Sequence, residues 1–188
     1  EYITTSYAYD SFGRLTKMTD PNSNSYTYTY DILDNLTSTL DPYSNKTTYA
    51  YDKTGRLTSE KDALSNTTSY AYDSFDRLTK QTDPDGRLTS LVYDKNGNIT
   101  KVTARHAANF AEATHYTDFT YDGVNRLTTR TDSLGGKESF SYLADGRISG
   151  YTDKMGRYTD VTYTDLKNLK VKKPAGEITS YALDGNGN

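Results

Sequence analysis

The sequence predicts an all-β fold in which antiparallel β-hairpin repeats, one every 21 residues, form a curled or spiralling single sheet. Three observations carry this. Tyr-Asp recurs at 9–10, 30–31, 51–52, 72–73 and 93–94, always 21 residues apart, and a fixed period of that length marks a repeat architecture. Each period holds two turn signals separated by runs of strand composition. The chain is also rich in aromatics, with 19 Tyr among 188 residues, yet only 34% hydrophobic, with a mean hydropathy of −0.86. A disordered chain is poor in aromatics. Tyr and Thr without much Leu, Ile or Val suit a sheet with little dry core, where the Tyr ring is covered and its hydroxyl hydrated.

The first repeat shows the unit. Asp10-Ser11-Phe12-Gly13 places Asp at the start of a turn and Gly where the backbone needs φ > 0, as in a three-residue hairpin loop with a Gly bulge. Across that loop Asp10 faces Arg14, Tyr9 faces Leu15 and Ala8 faces Thr16. Tyr9 and Leu15 form an aromatic–aliphatic cross-strand pair worth roughly 0.2–1 kcal/mol, and Asp10–Arg14 is an exposed ion pair worth little. Asp20-Pro21 sets the second turn, with Pro supplying the fixed φ of a type I corner.

Later units keep this layout. The second has Tyr30-Asp31 and Asn35-Leu36; the third Tyr51-Asp52 and Gly55-Arg56-Leu57; the fourth Tyr72-Asp73 and Arg77-Leu78; the fifth Tyr93-Asp94 and Gly97-Asn98-Ile99. The next step, Tyr93 to Tyr121, is 28 residues, so a seven-residue insertion lies within 103–116. That stretch is Ala-rich and is expected to lengthen the connection at one rim of the sheet, or to form a short helical turn. The period then resumes at Tyr121-Asp122 with Arg126-Leu127, at Tyr142 and at Tyr163; the last copy is one residue short somewhere in 164–182.

The chain thus reads as a single array, residues 1–188, of about nine hairpins. A flat ribbon that wide is not stable, because sheets twist and beyond ~10 strands curl or split. With so few apolar residues there is no second layer to pack against. Open edges at both ends point to neighbouring repeats of the same parent chain, of which this is a fragment.

Composition narrows the function classes. Net charge is −3, and the positive run Lys170, Lys172, Lys173 is short, which does not make a nucleic-acid footprint. There is no Cys, hence no disulfide or thiol chemistry. No apolar run approaches the ~20 residues needed to span a bilayer as a helix, so no membrane insertion by this segment is expected. His106 and His115 lie nine residues apart without a carboxylate constellation and read as loop residues rather than metal ligands or bases. Asp94-Lys95-Asn96-Gly97-Asn98 begins like a calcium loop, but Ile99 and Arg105 stand where Gly and Glu are required. The repeated Asp residues occupy turn positions where Asp is chemically expected. No catalytic, cofactor-binding or metal-binding residue is assigned. Tyr rows such as those holding Tyr26 and Tyr49 suit stacking on sugar rings, but their presence in every unit favours packing between repeats.

The pattern Tyr-Asp-x-x-Gly-Arg-Leu, clean at Tyr9-Asp10…Gly13-Arg14-Leu15 and Tyr51-Asp52…Gly55-Arg56-Leu57, resembles the YD repeat of Rhs proteins. Tyr72-Asp73…Arg77-Leu78 and Tyr121-Asp122…Arg126-Leu127 depart only at the Gly. The resemblance implies a sheet spiralling into a hollow shell, as in Rhs polymorphic toxins, wall-associated proteins, Tc toxin B and C components and teneurins. It implies a bacterial, secreted or cell-surface protein without enzymatic activity in this segment. The partners it implies are neighbouring repeats and an encapsulated toxin polypeptide; the alternative is an adhesion module that binds glycans. In such shells a DPxGL-type motif with nearby Asp residues releases the effector. Asp83-Pro84-Asp85-Gly86-Arg87 is superficially similar, but it sits in phase as an ordinary second turn and has Arg in place of Leu.

Overall fold

The computed structural model describes residues 4–106, 115–164 and 168–182. They form seventeen strands in one antiparallel sheet, with no helix among them. The described residues divide into two compact units, 4–89 with 106, and 90–105 with 115–164 and 168–182.

The first unit contains β1 (Ser6–Tyr9), β2 (Leu15–Thr19), β3 (Ser25–Tyr30), β4 (Leu36–Leu40), β5 (Lys46–Tyr51), β6 (Leu57–Lys61), β7 (Thr67–Tyr72), β8 (Leu78–Thr82) and the start of β9 (Arg87–Tyr93). From β1 to β8 each strand pairs with its neighbour in sequence. Tyr9 is opposite Leu15, but Ala8 is opposite Lys17, not Thr16, because a β-bulge intervenes. The extra residue is Thr16, whose hydroxyl donates to the Ala8 carbonyl at 3.2 Å. Thr58 and Thr79 do the same to Ala50 and Ala71, both at 3.1 Å. A bulge leaves one residue outside the ladder, and the Thr hydroxyl anchors it. In these repeats the Leu-Thr pair is therefore one cross-strand partner followed by one bulge residue.

The second unit continues with the rest of β9, β10 (Ile99–His106), β11 (His115–Tyr121), β12 (Leu127–Asp132), β13 (Lys137–Tyr142), β14 (Ile148–Thr152), β15 (Tyr158–Tyr163), β16 (Asn168–Lys172) and β17 (Ile178–Ala182). The insertion extends a hairpin. Ala104 and His115 pair as strand residues where other repeats have already turned, and the connection itself, 107–114, lies outside the described residues. The short final repeat has a local cause. β15 and β16 pair from Tyr163↔Leu169 to Asp160↔Lys172 without any register shift, so the lost residue is the bulge residue.

The register advances at a constant rate. In the first unit Tyr28 faces Thr39, and Thr39 faces Thr47, two residues short of Tyr49, the equivalent of Tyr28 one period later. In the second, Phe119 faces Arg130 and Arg130 faces Glu138, two short of Phe140. One residue per strand, with ~3.3 Å rise and ~4.8 Å strand spacing, slants the strands by about 35°.

Among the described residues no hydrophobic side chain is buried; Ser38 and Glu138, each 8% exposed, are the buried polar ones. A one-layer sheet has no inside. Its cohesion comes from ladders, cross-strand pairs and the turn rims.

Candidate functional site

Both ends of the strands finish in the same kind of five-residue turn. At the Tyr-Asp rim, Asp10 N donates to Arg14 O (2.9 Å) and Gly13 N to Asp10 O (3.1 Å). Asp10 Oδ1 accepts from the amides of Phe12 and Arg14, and Oδ2 from Arg14 Nε at 2.7 Å. At the opposite rim Asp20 does the same with the amides of Asn22 and Asn24 and with Asn24 Nδ2, each at 2.8 Å. The residue that must take φ > 0 is Gly13 (80°) in the first turn and Ser23 (65°) in the second. Pro21 is thus not what shapes the second turn; Ala63, Ser133 and Lys154 stand in its place in other copies.

The Tyr-Asp rim adds links between repeats. Arg14 Nη1 donates to the carbonyl of Asp31 (2.8 Å) and to Asp34 Oδ1 (2.7 Å), both in the following turn. Its guanidinium lies 5.0 Å from the centre of the Tyr30 ring. Tyr30 Oη in turn donates back to the Leu15 carbonyl at 2.9 Å. Arg56 repeats the arrangement with Asp52, the Asp73 carbonyl, Asp76 and the Tyr72 ring (2.7, 2.8, 2.7 and 5.1 Å). Tyr51 and Tyr72 donate to Leu36 O and Leu57 O, both at 2.9 Å. The Asp10–Arg14 pair is therefore not an isolated exposed pair: both side chains are mostly covered, 22% and 21% exposed.

Tyrosine is required by the ladders. β2 and β3 share only three pairs, from Thr19↔Ser25 to Lys17↔Thr27. Beyond Lys17 the Leu15 carbonyl has no strand partner, and an unpaired carbonyl away from water is costly. The Tyr30 hydroxyl spans the gap. These hydroxyls donate to backbone carbonyls.

The second unit keeps this logic with different groups. Tyr121 and Tyr142 donate to Ile99 O and Leu127 O, both at 2.8 Å. Arg126 binds Asp122 (2.6 Å) and the Leu143 carbonyl (2.9 Å) and stacks 4.7 Å from Tyr142. Where Asn98 replaces Arg, its amide and that of Asn96 both donate to Asn125 Oδ1, at 2.8 and 2.9 Å. In both units, then, residues four positions after the turn Asp reach the next turn: Arg14 and Arg56 in the first, Asn98 and Arg126 in the second.

The residues that sequence reasoning missed are the receivers. Asp34, Asp76 and Asn125 adopt φ of 65°, 62° and 65° where other turns have Gly. Each accepts from the preceding repeat. The signal was the alternation Gly13, Asp34, Gly55, Asp76.

Electrostatics fit a fastening role. The Asp52 carboxyl is held well below the usual carboxylate range by the Thr54 hydroxyl and, against the effect of burial, by Arg56 and two backbone amides. Asp20, Asp31, Asp41, Asp62, Asp73 and Asp94 are likewise lowered, first by the side chain four residues on. Burial pushes the hydroxyls of Tyr51 and Tyr121 up. Glu138, the buried carboxylate, is lowered by Tyr151 Oη (2.7 Å) and then by Arg130.

The Asp-Asn rim is notched instead. An open groove of about 260 Å³ lies among Ser44, Lys46, Thr48, Lys61, Asp62 and Ala63. In the second unit another of about 320 Å³ is lined by His115, Asp132 and Leu134 among others. No His, Cys, Asp and Glu cluster able to hold a metal occurs among the described residues. Asp94 forms an ordinary turn, its amide donating to Asn98 O at 2.9 Å. Lys173 pairs with Glu177 at 3.3 Å.

The sequence model of the RHS repeat matches residues 3–25, 9–46, 35–65, 51–88 and 72–107, overlapping stretches that together cover more than half of the chain. No curated protein sequence matches it. Among solved structures, the chain is similar to a TcdB2-TccC3-Cdc42 crystal structure (TM-score 0.55, 18% identity) and to a TcdB2-TccC3 crystal structure (0.54, 18%). It is also similar to TcdB2-TccC3 without its hypervariable C-terminal region (0.53, 19%). In each case 96% of this chain is covered, but only 10% of the other. The shared feature is the fold.

Proposed function

The chain belongs to the RHS-repeat family, and from that premise we propose that it is a non-catalytic wall segment of a hollow shell that encloses and protects a toxin or effector polypeptide. The observation that carries this reading is the constant register advance of two residues per hairpin in a sheet without a dry core. One residue of shear per strand is the relation found in closed eight-stranded barrels. A sheet that keeps adding hairpins at that shear curls around a space. The turn carboxylates are engaged in bonds that keep them ionised, which suits structure better than acid–base chemistry. The parent polypeptide would act outside the cell that makes it, secreted or on a bacterial surface.

Glycan adhesion has less behind it. The rings of Tyr30 and Tyr72 already lie against guanidinium groups, which a sugar would have to displace. The test uses the full-length polypeptide that carries these repeats, imaged by electron microscopy and digested with protease. A hollow particle whose internal segment resists cleavage until the repeats are unfolded supports the proposal. An extended particle, or equal cleavage in both states, overturns it.

A further inference from the structure

The ladder register sorts the strand charges of the first unit by face. Cross-strand partners share a face, and residues along a strand alternate between faces. Tyr28, opposite Thr39, and Tyr49, opposite Glu60, mark the tyrosine face. Lys17 is opposite Ala8 and Thr27, Lys46 opposite Leu40, Lys61 opposite Thr48 and Thr67, and Lys80 opposite Ala71. Every strand lysine from β1 to β8 therefore lies on the other face, and each is exposed. Glu60, the one strand carboxylate from β1 to β8, is on the tyrosine face. Around the lysines the positions are mostly hydroxyls, among them Thr27, Thr29, Ser38, Thr48, Ser59 and Ser69. The ion pairs of this unit belong to the turn arginines Arg14, Arg56 and Arg77, which leaves these lysines without a carboxylate partner among the described residues. The second unit lacks this imbalance. There the same face carries Asp118 opposite Lys101 and Asp160 opposite Lys172, and Lys101 is paired with Asp118 at 3.1 Å.

We infer that the lysine-and-hydroxyl face of β2–β8 is a docking surface for an extended acidic polypeptide. Such docking is independent of whether the repeats enclose a cargo. Charge complementarity sets the sign of the occupant, because exposed cations point one way with no strand anion among them. Lys46 and Lys61 are diagonal neighbours across β5 and β6, roughly 7–8 Å apart. Both line the open groove of about 260 Å³ to which Ser44 and Thr48 also contribute. A carboxylate seated there meets two ammonium groups and two hydroxyls. Asp62, at the same groove, is already held within its own turn by Leu64 N, Asn66 N and Asn66 Nδ2. Spacing favours a polypeptide over a phosphate polymer. Lys17 and Lys80 stand on strands away from that pair, with hydroxyls between, whereas a nucleic-acid footprint needs cations clustered in a stripe. A peptide brings carboxylates at intervals and offers its amides and carbonyls to the hydroxyls between them.

The test is binding of a fluorescent peptide of alternating Glu and Ser to this chain at low salt, followed by anisotropy. The span from β2 to β8 is about 30 Å at ~4.8 Å per strand, which about ten extended residues cover. Lys46→Gln combined with Lys61→Gln should weaken binding about tenfold. Lys53→Gln combined with Lys95→Gln removes the same charge from exposed turn tips and should change binding less than about twofold. Carbodiimide cross-linking reads the place directly: the peptide carboxylates should form amides with Lys46 and Lys61 ahead of Lys53 and Lys95. No binding, equal weakening by the two pairs of substitutions, or cross-links that favour the turn lysines overturns the inference. Single-stranded DNA or a polyuronate of equal charge is the remaining arm. Tighter binding of either would make that polyanion the occupant and overturn the assignment to a polypeptide; weaker binding of both supports it.

Discussion

The two rims are made from the same turn and behave differently. At both, an Asp side chain caps two amides and a residue with positive φ closes the loop. At three turns of the Asp-Asn rim of the first unit the fourth residue is Asn24, Asn45 or Asn66, and its amide returns to its own Asp at 2.8 Å; in the turn at Asp83 the fourth residue is Arg87. At the Tyr-Asp rim the fourth residue is more often Arg, long enough to hold its own Asp and still reach the next turn. In the first unit the longer Arg14 and Arg56 make the turn a fastening, while in the second Asn98 reaches Asn125 with an Asn side chain. In the first unit the Arg14 and Arg56 links put coupling between neighbouring repeats, on which the cooperativity of a repeat array depends, along the Tyr-Asp rim. In the second, Lys154 also joins Asp132 of the preceding turn at the other rim.

The largest effect that tests this contrast is expected from the tyrosines. Tyr51→Ala removes the ring opposite Leu57 and the bond to Leu36 O, and should cost about 2 kcal/mol in urea unfolding. Tyr51→Phe keeps the ring and should cost about 1 kcal/mol, the worth of the hydroxyl bond. Tyr43→Ala, at an Asp-Asn turn tip where Tyr43 is 84% exposed, should stay within about 0.5 kcal/mol. Equal losses for Tyr51→Ala and Tyr43→Ala would remove the distinction between the rims.

The next test concerns reach. Arg56→Ala should speed hydrogen exchange in two turns, 52–56 and 73–77, since Arg56 bonds to both. Asn66→Ala should affect only 62–66. Asp76 then separates conformation from charge. A left-handed backbone costs a non-Gly residue roughly 1–2 kcal/mol, and an exposed ion pair returns up to about 1. Asp76→Gly should therefore leave stability nearly unchanged, whereas Asp76→Ala should lower it. A clear gain with Gly would mean that the Arg56–Asp76 pair contributes nothing.

Much of this was legible in the sequence. Period, strand placement, both turns and the Tyr9–Leu15 pairing follow from spacing and turn chemistry, which are local. Four things were not. The bulge at Thr16 is invisible because Leu-Thr alternation reads as a regular strand, and it moves Ala8 from Thr16 to Lys17. The destination of the Tyr30 hydroxyl depends on where the β2–β3 ladder stops, which is a property of two strands together. The reach of Arg14 to Asp34 depends on the register between hairpins. Only the Gly–Asp alternation hinted at it. The missing residue of the final repeat belongs with these: its position became evident only once the bulge was seen elsewhere and absent from β16.

Acid and salt should divide the rims least, and in opposite senses. Aspartates at both rims have folded pKa values below their unfolded ones, so each contributes stability that is fully present above the unfolded value near 4 and is lost as pH falls through the lowered folded value. Stability should therefore be flat from neutral pH to about 5 and then fall, with both rims exchanging faster together, because Asp20 and Asp62 lose their amide bonds just as Asp52 and Asp73 do. Salt acts on charge pairs alone. At neutral pH, ~1 M NaCl shortens the screening length to about 3 Å. That should speed exchange modestly at 52–56 and 73–77, where Arg56 pairs with Asp52 and Asp76 and Arg77 with Asp73, and leave 62–66 unchanged, where the partner is the neutral Asn66. Equal salt sensitivity at both rims would show that the arginines hold the Tyr-Asp rim through packing on Tyr72 and bonds to carbonyls, with the carboxylates contributing only to their own turns.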